Sequence, residues 1–379
     1  MSARRRDDRE RLSAALLAAP PPARSFPERP LRLLGRKAAF TVLAALVLAL
    51  AWSAWRVPEL AAGGHAAPSA AAEPIGDFAL YARIVQRVAD GEGYYAAALA
   101  EQRANNYPTR PFVTVRLPTL AWANARLGRG AMGLMAVALL LANLFAWHRA
   151  LAERVPAIIR VAAVLLVILA GFAAFESRAG LAHELVAGLL VSLALALSRP
   201  FSLWPPLLAL AAALAVRELA LPFALAWLLV ALIEKRAGQA MALAVLVALF
   251  ATGLYLHYLG AEAQTLPGDR ASPGWSALLG PRLFLDSLVR FTPLLLLPAS
   301  LAAPLALLPL LGWIGLGGRI GLLASLWFVS LALVTALFAR AENFYWVLMA
   351  LPAYGAGLAL APLALGDLAS ALRGARDPA

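Results

Sequence analysis

Asp77, in the run GDFALY, is a carboxylate with a tyrosine, Tyr81, four residues on. A carboxylate can accept a proton and a phenol can donate a hydrogen bond. Ile75, Phe78, Ala82, Val85 and Val88 recur at three- and four-residue spacing up to Gly91, which predicts an amphipathic helix along a membrane surface. On it Asp77 falls in the first turn and shares a face with Tyr81. A purely structural acid would sit there too, because free N–H groups and the helix dipole favour a carboxylate at that position.

Guanidinium groups follow. In NNYPTRP, Pro108 and Pro111 flank Arg110 and restrict its segment, which would hold the side chain at a fixed angle. The neighbouring asparagines and tyrosines offer neutral hydrogen-bonding groups of the kind that line a sugar site. Arg116 precedes Leu117-Pro118 and a predicted short helix over 118–127. Arginine pairs well with phosphate oxygens, yet a structural loop accounts for the same residues with no ligand. Farther on, Arg217-Glu218 joins two short apolar stretches that carry Pro205, Pro206 and Pro222. That junction reads either as the edge of a cavity or as a tight turn. Glu176, His183 and Glu184 stand at neighbouring span ends; His183 could relay a proton or be a satisfied interfacial histidine.

The elements that position these residues are apolar. Of 379 residues 62% are hydrophobic and 14% charged, against about half and about a quarter in soluble domains. Apolar runs of about 18 to 24 residues recur between charge clusters, long enough to cross a bilayer as helix. They predict an all-α, polytopic bundle of about ten spans, at 37–57, 131–148, 157–175, 181–197, 201–216, 219–233, 239–258, 291–314, 320–338 and 344–365. Residues 1–36 read as a flexible basic cytoplasmic arm, 37–365 as the membrane domain and 366–379 as a polar cytoplasmic tail. A first run preceded by so long an arm reads as an uncleaved span rather than a signal peptide. With the N-terminus inside, the inner connections hold Arg149, Arg154, Arg199, Lys235, Arg236 and Arg319, and the tail Arg373 and Arg376, as the positive-inside bias requires. The outer face then carries 58–130, Arg217-Glu218, 259–289 and the Arg340–Asn343 turn. The two halves show no evident repeat.

Cysteine is absent, which excludes disulfides and thiolate metal sites. The four histidines are far apart, so no histidine metal motif forms. The formal charge is +12, and ten Arg and Lys residues, from Arg4 to Lys37, precede the first apolar run, where they suit anionic lipid rather than nucleic acid.

The order of features resembles the membrane glycosyltransferases of the GT-C fold, particularly bacterial enzymes related to lipopolysaccharide-core, mannosyl and arabinofuranosyl transferases. In that superfamily a first span leads into a long extracytoplasmic loop, which begins with an acid near the start of an interfacial helix and then an aromatic residue; GDFALY is similar. Gly91–Tyr94 and Tyr107–Leu120 are similar to the segments that follow, and Arg217-Glu218 with LALPFALAWLL resembles a later basic–acidic pair at the join of two short helices. Asn343-Phe344-Tyr345-Trp346 matches no donor-binding pattern of the family. The resemblance implies a polyprenyl-phosphate-linked sugar as donor, a hydroxyl of an envelope glycan, lipid or protein as acceptor, and a bacterial inner membrane location with both termini cytoplasmic. It implies Asp77 as catalytic base, Arg110, Arg116 and Arg217 with Glu218 around the phosphate, Tyr81 beside the sugar or acceptor, and His183 and Glu184 in auxiliary roles. No role requires a metal, although some members use divalent ions and Asp77 alone would hold one weakly. Asp286, between Arg282 and Arg290, marks a second surface helix that could cap the cavity. Two other readings stay open: a transporter or flippase for an anionic lipid-linked substrate, and a non-catalytic scaffold for envelope assembly.

Overall fold

A computed structural model describes residues 26–63, 76–198 and 203–374. The arm up to residue 25, Pro74, Ile75, Arg199 and Arg376, all used above, lie outside the described residues.

Fifteen α-helices account for the described chain. The first, α1, is Arg36–Gly63. Then come three short helices, α2 Asp77–Ala89, α3 Tyr94–Ala104 and α4 Thr119–Leu127. The bundle continues with α5 Arg129–Leu151, α6 Ala157–Ala170, α7 His183–Leu197, α8 Trp204–Val216, α9 Leu221–Ile233 and α10 Ala237–Glu262. A second surface helix, α11 Pro281–Arg290, precedes α12 Ala299–Leu305, α13 Leu308–Leu316, α14 Gly318–Phe338 and α15 Leu351–Arg373. No strand occurs among the described residues, only isolated bridges such as Arg110 with Ala271.

Among the described residues, six helical stretches are long and apolar enough to cross a membrane, and four shorter helices are apolar as well. Their outward side chains include Leu134, Leu141 and Phe145 on α5, each more than half exposed. Such a stripe is costly in water and neutral against lipid tails. The chain is a multi-pass helical membrane protein.

The expected span over 291–314 is not one helix. It breaks into a 3₁₀ turn at Pro293–Leu296, then α12, then α13. Pro293, Pro298, Pro304 and Pro309 each lack the N–H that an unbroken helix needs. The last span likewise opens with a 3₁₀ stretch, Ala341–Met349. At its far end α15 runs on through residues read as a tail to Arg373. Asp367 there is buried and accepts from Arg29 Nε at 2.8 Å. That arginine belongs to a strap, Pro27–Leu33, which also gives Arg29 N to Leu316 O at 3.0 Å and takes Gly318 N at Pro27 O at 2.8 Å. Arg154 donates to Glu28 at 2.7 Å, and buried Arg319 pairs with Glu234. These contacts gather the charged connections at one end of the bundle.

Close packing without a water-driven hydrophobic effect needs small residues at helix crossings. α13 packs along α15, and α15 along α6. A Cβ on Gly312 would run into the backbone of Gly357 and Ala361, and one on Gly188 into Leu348 and Met349. α7 is buried on every side, as befits a central helix, and its neighbours fix its rotation. Asn143 Nδ2 donates to Leu189 O at 2.9 Å and Trp147 Nε1 to Ser192 Oγ at 3.0 Å. The N-terminus of α7 brings His183 and Glu184 to the other end of the bundle.

Gly312→Ala is expected to lower stability by about 2 kcal/mol through overpacking, read as a lower thermal midpoint in detergent. Gly366→Ala, where an added Cβ meets nothing within 4 Å, should not lower it.

Candidate functional site

At that other end the two long connections fold together. α2 lays Leu80, Ile84 and Val85 against Tyr94 and Leu99 of α3 and Ala121 of α4. Gly91 turns the chain between α2 and α3 with a φ of +97°, a conformation glycine adopts freely. The section 259–289 is clasped onto this unit. Arg103 grips Asp269 at 2.6 and 2.9 Å, Thr109 N donates to Arg270 O at 3.0 Å, and Arg270 donates to Asn106 O at 2.8 Å. Arg103 pulls the Asp269 carboxyl down to about 2, so the clasp is charged through the physiological range.

Beneath the clasp lies a cavity of about 500 Å³. Asp77, Tyr81, Arg116, His183, Arg217 and Glu218 all line it, although they come from α2, the loop before α4, the start of α7 and the α8–α9 junction. Its far wall is Arg340 and the 3₁₀ stretch it precedes at the start of the last span, which contributes Glu342, Asn343, Phe344, Tyr345 and Trp346, joined by Trp275 from the second long connection.

Asp77 accepts a hydrogen bond from Tyr107 Oη at 3.0 Å. Burial pushes the Tyr107 phenol above its ordinary range, and the adjacent Asp77 pushes it further; the phenol therefore stays protonated and acts as the donor. Arg116 Nε donates to Tyr81 Oη at 3.0 Å and its Nη2 to Tyr345 Oη at 3.1 Å, with the guanidinium 6.0 Å above the Tyr345 ring. The Tyr81 phenol is likewise raised by burial, while Arg116 works in the opposite direction. Tyr81 also stands edge-on to His183 at 4.9 Å, and His183 Nδ1 lies 3.1 Å from Leu181 O.

Glu184 does not line the cavity. It is buried behind the wall, where one oxygen meets Arg217 Nε at 2.8 Å and Arg116 Nη2 at 3.6 Å. One carboxylate thus holds two guanidiniums side by side, and Arg217 also pairs with Glu218. Arg340 pairs with Glu342 at 2.8 Å and reaches Ser272 Oγ at 3.2 Å. Arg217 and Arg340 are therefore committed to nearby carboxylates. Arg116 is the least committed of the three: its carboxylate contact, to Glu184, is the long one at 3.6 Å, and its hydrogen bonds go to the Tyr81 and Tyr345 phenols, which an anion could displace.

Arg110 is elsewhere. Its side chain is exposed, donates to Leu266 O at 3.1 Å, and is not among the lining residues. The flanking prolines restrict the backbone, but the loop they shape points the guanidinium at the second long connection. Asp286 is buried on α11 and pairs with Arg290 at 2.6 Å, and Arg290 lies 5.8 Å over the Phe344 ring. Arg340, Asn343, Tyr345 and Trp275 were missed by sequence reasoning. Polar and aromatic residues crowded at the first turn of an apolar span were the available signal. Among the described residues no group of three His, Cys, Asp or Glu could hold a metal ion.

Removing Glu184 would leave two guanidiniums facing each other in a buried wall. Glu184→Gln is expected to cost about 3 kcal/mol, measured by thermal unfolding in detergent, whereas Glu342→Gln at an exposed position should change it by less than about 0.5 kcal/mol.

Compared with known families, curated proteins and solved structures, the chain gives no match.

Proposed function

We propose that this protein transfers a sugar from a polyprenyl-phosphate-linked donor to a hydroxyl of an envelope glycan, lipid or protein, on the extracytoplasmic side of a bacterial inner membrane. One observation carries the reading: Asp77 and the Arg116–Arg217 pair line the same cavity at one end of a membrane bundle. A carboxylate and guanidiniums around one cavity are what displacement at a sugar–phosphate bond requires.

The acceptor oxygen forms a bond to the anomeric carbon while the bond from that carbon to the phosphate oxygen breaks, inverting the configuration. The acceptor proton passes to Asp77. The electron pair leaves with the phosphate, whose growing charge falls to Arg116 as it gives up its phenol partners. Tyr107 orients the Asp77 carboxylate, and Tyr345, Trp346 and Trp275 offer ring faces and edges for the sugar. A bundle with one end in lipid-facing surface allows the prenyl chain to stay in the membrane while its phosphate reaches the cavity. A carrier is less well supported, because such proteins place ionisable groups near the span midplanes, and the ion pairs here lie at the two ends of the bundle.

The test is transfer by purified protein from labelled polyprenyl-phosphate sugars to envelope acceptors. Asp77→Asn should lower the rate by about 10² or more with an unchanged melting profile. Arg116→Gln should impair transfer strongly, and Arg110→Gln should leave it nearly unchanged. Equal rates for wild type and Asp77→Asn would defeat the reading.

A further inference from the structure

A second concavity of about 550 Å³ lies between the start of α5 and the turn that follows α6. It is separate from the first cavity but adjoins it, since Leu181 lines both. Its composition is divided. Arg129, Glu176, Ser177 and Arg178 supply the polar part, and Leu134, Val137 and Phe175 the apolar part.

Neither the Arg129 nor the Arg178 guanidinium has a hydrogen-bond or ion-pair partner among the described residues, and both residues are exposed. This contrasts with the first cavity, where Arg217 and Arg340 are already paired with acids. The apolar part continues along the outside of the bundle. Leu134, Leu141 and Phe145 form one exposed stripe on α5, and Leu165, Leu169 and Phe172 another at the end of α6. Two lipid-facing stripes therefore lead up to a pair of uncommitted cations at the membrane boundary, where a lipid carries its phosphate.

We propose that this groove binds one anionic phospholipid, with its phosphate between Arg129 and Arg178 and an acyl chain along the α5 stripe. Charge chooses among lipids. Two arginines against Glu176 leave a single positive charge, which matches one phosphodiester. Glu176 and Ser177 can then meet hydroxyls of the headgroup rather than a second phosphate. Room for the ligand comes from Gly130 and Gly133, where an added Cβ would meet nothing within 4 Å.

The experiment titrates purified full-length protein in detergent with phosphatidylglycerol, phosphatidylethanolamine or phosphatidylcholine, and counts retained lipid by native mass spectrometry. Wild type should retain one phosphatidylglycerol in preference to the other two. Arg129→Gln and Arg178→Gln should each weaken it about fivefold, the contribution of one arginine near an anionic headgroup. Gly133→Leu should weaken it by filling the groove without disturbing the fold, and Arg126→Gln, whose exposed side chain does not line the groove, should not. Equal retention by all variants, equal retention of the uncharged-overall lipids, or displacement by millimolar inorganic phosphate would each overturn the proposal. The readout is binding, so the outcome is independent of whether the first cavity transfers a sugar.

Discussion

A single buried carboxylate, Glu184, sets the geometry on which the cavity depends. Two guanidiniums near one another repel, and in a wall with little water the repulsion is poorly screened. Glu184 relieves it by meeting Arg217 at 2.8 Å and Arg116 at 3.6 Å. Arg217 belongs to the junction of α8 and α9, and Arg116 to the loop before α4. The carboxylate therefore does more than balance charge: it ties the surface helices to the membrane bundle. Its own position follows from α7, which is enclosed on every side and held in rotation by Asn143 and Trp147.

Around that anchor the residues divide by how firmly they are held. Arg217, pinned by two acids, is part of the wall. Arg116 rests on phenols, which are weaker partners than carboxylates and can be exchanged for an anion. Asp77 is oriented by a phenol that burial keeps protonated. The cavity thus combines a rigid cation, an exchangeable cation and an oriented carboxylate.

The membrane helices were legible in the sequence because a charge-free run of sufficient length has few alternatives. Asp77, Tyr81, Arg116, His183, Arg217 and Glu218, picked out by residue type and by their expected common face, do come together around one cavity. Arg110 does not, since prolines on both sides limit a backbone without saying which way the side chain points. Glu184 was read as auxiliary to the site and stands behind it, a distinction that depends on helix rotation. The break within 291–314 was missed because mean apolarity ignores the missing N–H of each proline. Of the wall from Arg340 to Trp346, the first four residues were read as an outer turn and the rest as the start of a span. Its 3₁₀ geometry, which turns successive polar and aromatic side chains into the cavity, leaves little trace in periodicity.

The strap at Pro27–Leu33 has a consequence for biosynthesis. Arg29 finds its partner Asp367 only 338 positions later, and its backbone partner Leu316 also comes late in the chain. A ribosome delivers the strap first and its docking surface last. Helix α1 must therefore wait in the membrane with this contact unmade, and the strap is seated against α13 and α15 only after α15 has arrived.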